Sequence, residues 1–349
     1  EIDLMLLPTT GATYRLAVYG WYEERGSIRL TVTNDRSATI AGQITGPDEV
    51  TPLEGIEARP YQWDGFGWSS MFSQATYSAG DGMYEIRGLP AGTYRVRFRD
   101  FSGYYLREYY DDASDVDSAT DIEVLDEERV DGIDASLAEA SKISGQVTGS
   151  DEVTPAENID VTASTWNGVG WDLASAASTD ASGYYTIGDL TAGTYRVQFD
   201  DSAGNFISEA YNDQETLDAG QDIVVAATTT VTGINAALRE ASRISGTVTG
   251  PDETTPLENI VATVYVRSGS SWFEKSSDYT DASGFYSAGG LTAGTYRVQF
   301  EDYNGTYLRE AYDDQATLDD GQDIVVPGTT TVAGIDASLG LASRISGTV

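Results

Sequence analysis

The 349-residue chain has no cysteine and no histidine, and its lysines are two, Lys142 and Lys275. Without His or Cys there is no Ser-His-Asp triad, no thiol nucleophile, no Cys/His zinc site and no histidine-ligated haem. Disulfides are excluded too, so durability outside a cell has to come from packing, ions or assembly. Two lysines are too few for a Lys–Asn isopeptide crosslink in every part of a chain this long. Positive charge is scarce in general: 20 basic residues stand against 56 acidic ones, a net charge of −36. Such a surface repels the phosphate backbone of nucleic acid. No apolar run approaches the ~20 residues of a membrane-spanning helix. No basic stretch followed by an apolar one opens the sequence, so an export signal would lie outside it. Runs with a helical 3.6-residue period are missing as well.

What is present is repetition. Ala-Gly-Thr-Tyr-Arg-Val occurs three times, with its tyrosine at Tyr94, Tyr195 and Tyr296, and a second marker, mostly Ile-X-Gly, begins at Ile40, Ile143, Ile244 and Ile345. These markers divide the chain into a leader (1–38), three units (39–140, 141–241 and 242–342) and a final piece (343–349). Arg344-Ile345-Ser346-Gly347-Thr348-Val349 repeats Arg243 to Val248, the opening of a unit. The last residues therefore read as the first strand of a fourth copy or as a donor strand. Net charge is −14, −12 and −10 across the three units, a crowding that should make the array sensitive to salt and divalent ions.

Within a unit the apolar period is two. Tyr296, Val298 and Phe300 share one face and Arg297 and Gln299 the other, the pattern of a half-buried antiparallel strand. Ile260–Val266 and Asp323–Val326 are β-branched and bounded by turn residues. Asp180-Ala181-Ser182-Gly183 and Asp281-Ala282-Ser283-Gly284 predict tight hairpins, with Gly supplying positive φ. Some seven short strands in about 101 residues predict one Greek-key β-sandwich per unit, an all-β tandem array. The leader, with strands expected at Thr13–Tyr19 and Ser27–Thr33, is too small to enclose a core by itself.

Thr179-Asp180-Ala181-Ser182-Gly183-Tyr184-Tyr185-Thr186-Ile187 followed by Leu190 to Val197 resembles the carboxypeptidase-regulatory-like, or prealbumin-like, repeat domain. The B-type repeats of bacterial surface adhesins share the pattern, which recurs in all three units. The resemblance implies a sandwich fold and a stalk, spacer or accessory role on a secreted prokaryotic protein. It does not bring calcium with it, because the Asp-X-Asp-X-Asp-Gly loops of calcium-binding B repeats are missing here. The leader's Tyr14-Arg15-Leu16-Ala17-Val18-Tyr19-Gly20 and Gly26 to Val32 are similar to the closing strands of pre-peptidase C-terminal domains, which are attached to secreted proteases.

Three residue sets are candidates for chemistry. Asp111, Asp112, Asp115 and Asp117 in the first unit, and Asp313, Asp314, Asp319 and Asp320 in the third, are dense enough to wrap a Ca²⁺, which takes 6–8 oxygens; they also suit a solvated acidic edge that discourages strand pairing. Trp63, Trp68, Trp166, Trp171 and Trp272 recur at one hairpin and either stack on sugar faces or pad the sandwich. Carboxylate pairs for glycoside hydrolysis are not singled out, because acids that recur in step with the fold report the fold. Asn304-Gly305-Thr306 fits a glycosylation acceptor, a short pattern of little weight. The expectation is a non-enzymatic, extracellular or cell-surface stalk or filament subunit. It would associate head to tail with itself or with neighbouring domains, with Arg344 to Val349 in the contact by strand addition. The alternative is a polysaccharide-binding accessory region of a secreted hydrolase.

Overall fold

The computed structural model describes residues 37–343. The leader strands and the assembly set Arg344–Val349 lie outside the described residues. Each unit is built from two facing sheets. In the second unit the opening strand Ser141–Gly149 pairs antiparallel with Tyr184–Leu190, and parallel with the short closing strands Thr230–Val231 and Ala236–Leu238. In the opposite sheet Asp160–Trp166 lies between Trp171–Ser178 and Gly193–Asp200, and the latter also pairs with Glu209–Ala210 and Ile223–Val225. The first and third units repeat this arrangement. The tandem all-β sandwich architecture read from the alternation is the one observed.

The signature strand shows why. Tyr195, Val197 and Phe199 are fully buried, and Arg196 and Gln198 point away from the core. They join Ile143, Val147, Val161, Tyr185, Ile187 and Leu238 in a core that belongs to the second unit, and equivalent residues build separate cores in the first and third. Burial alone would strand the phenol groups, so each donates to a carbonyl. The hydroxyls of Tyr94, Tyr195 and Tyr296 donate to the carbonyls of Pro90, Thr191 and Thr292 at 2.7, 2.8 and 2.9 Å. Those of Tyr84, Tyr185 and Tyr286 reach the carbonyls of Ile133, Ile234 and Ile335 at 2.6, 2.5 and 2.8 Å.

Two features depart from the sequence reading. The Asp180–Gly183 and Asp281–Gly284 turns do carry Gly at positive φ, 75° and 77°, but they close no hairpin. Each passes the chain from one sheet to the other, since Trp171–Ser178 and Tyr184–Leu190 belong to different sheets. The closing strands run parallel to the opening one, a long-range pairing that period-two alternation does not encode. It explains the Gly of the Ile-X-Gly marker: at Gly42, Gly145 and Gly246 a Cβ would overlap the carbonyl of Ile133, Ile234 or Ile335 just before the closing strand. In the first unit a 3₁₀ turn, Phe72–Gln74, and the short strand Thr76–Tyr77 follow Trp68–Ser70, in place of the longer strand Trp171–Ser178.

Candidate functional site

The indoles cluster with the arginine of the signature strand. Trp63 and Trp68 face each other across the hairpin with ring centroids 5.3 Å apart, as do Trp166 and Trp171, while Trp272 lies opposite Arg267. Arg95, Arg196 and Arg297 stack on Trp68, Trp171 and Trp272 at 4.3, 4.5 and 4.7 Å. Trp171 and Trp272 donate Nε1–H to Asp218 and Asp319 at 2.9 and 3.1 Å. The same arginines bond Asp121, Asp222 and Asp323 through Nε at 2.6, 2.7 and 2.6 Å. Nη1 of Arg196 also donates to the carbonyls of Leu217 and Asp218 at 3.0 and 2.5 Å, strapping the acidic loop to the sheet. An open cavity of about 680 Å³ lies beside Trp166 and Trp171, lined further by Thr165, Thr194 and Asp222. The two rings there meet at 61°, edge to face, and Arg196 covers one face of Trp171. A flat sugar-stacking platform is not what they form. Replacing Arg196 with Met should cost the second unit about 1–3 kcal/mol, read by denaturant unfolding followed through tryptophan fluorescence; unchanged stability would contradict the strap.

The acidic residues are mostly occupied in making turns. Asp111 and Asp112, Asn212 and Asp213, and Asp313 and Asp314 all sit at positive φ, between 56° and 68°, where Asp and Asn are tolerated better than most side chains. Asp111 accepts from Thr120 Oγ1 at 2.8 Å, Asp115 from the Ser118 amide at 2.9 Å and Asp320 from Thr317 Oγ1 at 2.7 Å. The Asp117 carbonyl accepts from Arg95 at 2.8 Å, the Asp313 carbonyl from Gln315 at 2.6 Å, and Asp319 takes the indole of Trp272. Among the described residues no three acidic side chains gather into one group.

One acid per unit behaves differently. Glu108, Glu209 and Glu310 are pushed up to about 7, chiefly by burial and then by the neighbouring Asp112, Asp213 and Asp314. A glutamate raised in the folded state binds more protons there than in the unfolded chain between about pH 4.5 and 7, so stability falls as pH climbs through that window. Asp48 and Asp151 act oppositely. Donors from Thr51 and Val50, and from Thr154 and Val153, hold them down to about 2, a contribution lost as pH drops below about 4. Tm should therefore be higher near pH 5 than near pH 8 and fall again below pH 4. The triple Glu→Gln variant at 108, 209 and 310 should flatten the pH 5–8 limb; an unaltered limb would assign it to other groups.

The described residues form one compact unit, and the contacts between its sandwiches are made by a loop that every repeat carries. It is held by an aspartate: Asp100 accepts from the amides of Ser102, Tyr104 and Tyr105. Asp201 accepts from Ala203, Asn205 and Phe206, and Asp302 from Asn304, Thr306 and Tyr307, all at 2.6–3.1 Å. The glycine at the bend, Gly103, Gly204 or Gly305, has φ of 68°, 68° or 67°.

Gly103 abuts Gly188 of the second unit so closely that a Cβ on Gly188 would overlap the Gly103 carbonyl and lie 2.7 Å from its Cα. Gly204 abuts Gly289 and Gly290 of the third unit in the same way, and the Gly290 amide donates to the Gly204 carbonyl at 2.9 Å. Side chains finish each joint. At the first, Lys142 Nζ lies 3.0 Å over the Tyr104 ring, and Asp189 accepts from the Arg107 amide at 2.9 Å with its guanidinium 3.7 Å away. At the second, Arg243 donates to the Ala203 carbonyl, Asn205 Oδ1 and the Ser287 carbonyl at 2.6, 2.9 and 3.0 Å.

No family model matches the sequence, and no curated protein matches it. Solved structures give remote likenesses. A streptococcal ancillary pilin is 12% identical over 88% of this chain and 100% of its own, with a TM-score of 0.33. The minor pilin GBS52 of Streptococcus agalactiae is 15% identical over 58% of this chain and 95% of its own, with a TM-score of 0.23. The shaft pilin SpaA of Lactobacillus rhamnosus GG is 9% identical over 59% and 99%, with a TM-score of 0.27. At such TM-scores the likeness carries no functional weight.

Sequence reasoning assigned the tryptophans and acids to separate sites and did not foresee the arginine that joins them. It also passed over the Gly–Gly joint. The signal was present: in the place of Gly188 and Gly289 the first unit has Arg87.

Proposed function

We propose that this chain is a structural segment of an extracellular or cell-surface protein, a non-enzymatic spacer in which β-sandwich units are stacked in fixed order. The observation that carries this reading is the joint. The same aspartate-held loop meets the same glycine step at both boundaries between units, and a cation from the opening strand, Lys142 or Arg243, secures each one. Linkers of Ser or Gly would have been enough to string domains loosely. Close backbone contact with almost no intervening linker is what stiffness requires. The resemblance of the units to prealbumin-like repeats supports the same role, since stalks and spacers are among the uses of that fold.

Residues Arg344 to Val349 carry the opening-strand sequence, and Arg344 stands in register with Arg243. They are assigned to association with a neighbouring sheet, by pairing their backbone groups with its edge. Removing them should abolish self-association measured by light scattering; unchanged association would refute that role. Electron microscopy of the purified protein tests the wider proposal. Straight particles of even width support the spacer, and loose beads at variable angles would contradict it.

A further inference from the structure

The Asp302–Tyr307 loop is the third member of a series whose first two members are docked. Its bend is already in the docked conformation, with the same φ, the same aspartate bonds and the same strap to the following segment: Leu308 donates to the Gly340 carbonyl at 2.7 Å, as Leu106 does to that of Ala138 at 2.8 Å. Yet a Cβ placed on Gly305 would meet no atom of the described residues within 4 Å. Around it Tyr303, Leu308 and Leu341 are exposed, and Leu341 replaces the Glu139 and Glu240 of the earlier units. Arg309 stands where the first unit has Arg107, the residue that meets Asp189 across the first joint, whereas the second unit has Ser208.

We infer that this end of the third unit is a preformed docking surface for a further β-sandwich of the second unit's kind, one with Gly followed by Asp in the place of Gly188-Asp189, whose carboxylate would meet Arg309. The inference rests on the spacer reading and adds a direction to it. At the opposite end of the series, the first unit has Arg87 at this step, ion-paired with Glu85. An arginine there leaves no room for a glycine bend to approach within backbone contact, because the neighbour at a real joint lies where the Cβ would be. The first unit of a second copy is therefore not the occupant of the Gly305 surface. The joint is polar: it grows from the Gly305 end and is closed at the Arg87 step.

The test extends the full chain after Val349 with the sequence of residues 148–241, so that Arg344–Val349 begin a complete added unit. Amide exchange of Asn304–Tyr307 is then followed, with Ala203–Phe206 of the existing joint as reference in the same molecule. In the unextended chain Asn304–Tyr307 should exchange at least tenfold faster than Ala203–Phe206, although the aspartate bonds are alike. In the extended protein the two segments should match. Arginine in place of the added unit's Gly188 should restore fast exchange. Arg309→Ala, which leaves every core untouched, should restore it in part, about two- to fivefold. Exchange at Asn304–Tyr307 that is indifferent to the added unit, or equal with Gly and Arg at the step, overturns the inference. Fast exchange at Ala203–Phe206 itself would instead overturn the spacer reading.

Discussion

Gly289→Arg should separate the second and third units mechanically while leaving both sandwiches folded. A Cβ at this position would overlap the Gly204 carbonyl and lie 3.0 Å from the Gly204 carbonyl carbon and from Cζ of Arg243. The obstacle is backbone held by Asp201, so no rotamer change relieves it. Overpacking of this kind costs typically about 1–3 kcal/mol where the surroundings have to give; here the two units can part instead. The strand itself accepts arginine, as Arg87 shows at the same step of the first unit. Three losses should appear together: slowed exchange of the Gly290 amide, the bonds from Arg243 to Ala203 and Asn205, and the fixed angle between units. Near-ultraviolet circular dichroism and the melting of the cores should barely move. A variant that unfolds the third unit, or one that keeps the Gly290 amide protected, would show that the joint is not what the glycine serves.

Gly145→Val should do the reverse and destroy a unit while sparing its neighbours. The carbonyl carbon of Ile234 lies 2.5 Å from where the new Cβ would be placed. Moving Ile234 aside breaks the hydrogen bond from Tyr185 and the parallel pairing of Val147 with Ala236 and Gly149 with Leu238. These contacts close the second sheet edge over the core, so the loss should reach about 3 kcal/mol or more. For a unit of this size that is a fall in Tm of about 12–24 °C. Because the three cores are separate, calorimetry should show one transition displaced and the others kept. A uniform shift of the whole melt would mean that the units unfold as one.

How much of this was legible depends on the range of the interaction. Alternation in Thr295–Phe300 gave the buried face directly, because side-chain direction along a strand is a local property. The Asp180–Gly183 turn was recognised from its residues, but which strands it joins depends on sheet assignment, which is not local. The glycines divide in the same way. Gly183 and Gly284 announce positive φ in their surroundings, although the carbonyls of Val147 and Val248 crowd them too, whereas Gly145 and Gly289 have ordinary backbone, and only the distant carbonyls of Ile234 and Gly204 demand glycine there. Only comparison between copies could have exposed the latter, through Arg87. The acid-rich loops show the same limit. By density Asp111, Asp112, Asp313 and Asp314 suit either a calcium site or a solvated acidic edge, and what density does not reveal is that all four sit at positive φ in turns. The Trp–Arg–Asp cluster joins residues 26 and 47 positions apart, beyond any spacing rule.

Residual dipolar couplings of the full chain test the central claim most directly, because they report the orientation and relative motion of folded bodies without reference to their contacts. With Gly103 seated on Gly188 and Gly204 on Gly289, the backbone amides of all three units should fit one alignment tensor of one magnitude. Three tensors of different magnitude, with each unit tumbling to its own extent, would contradict a stacked and rigid series.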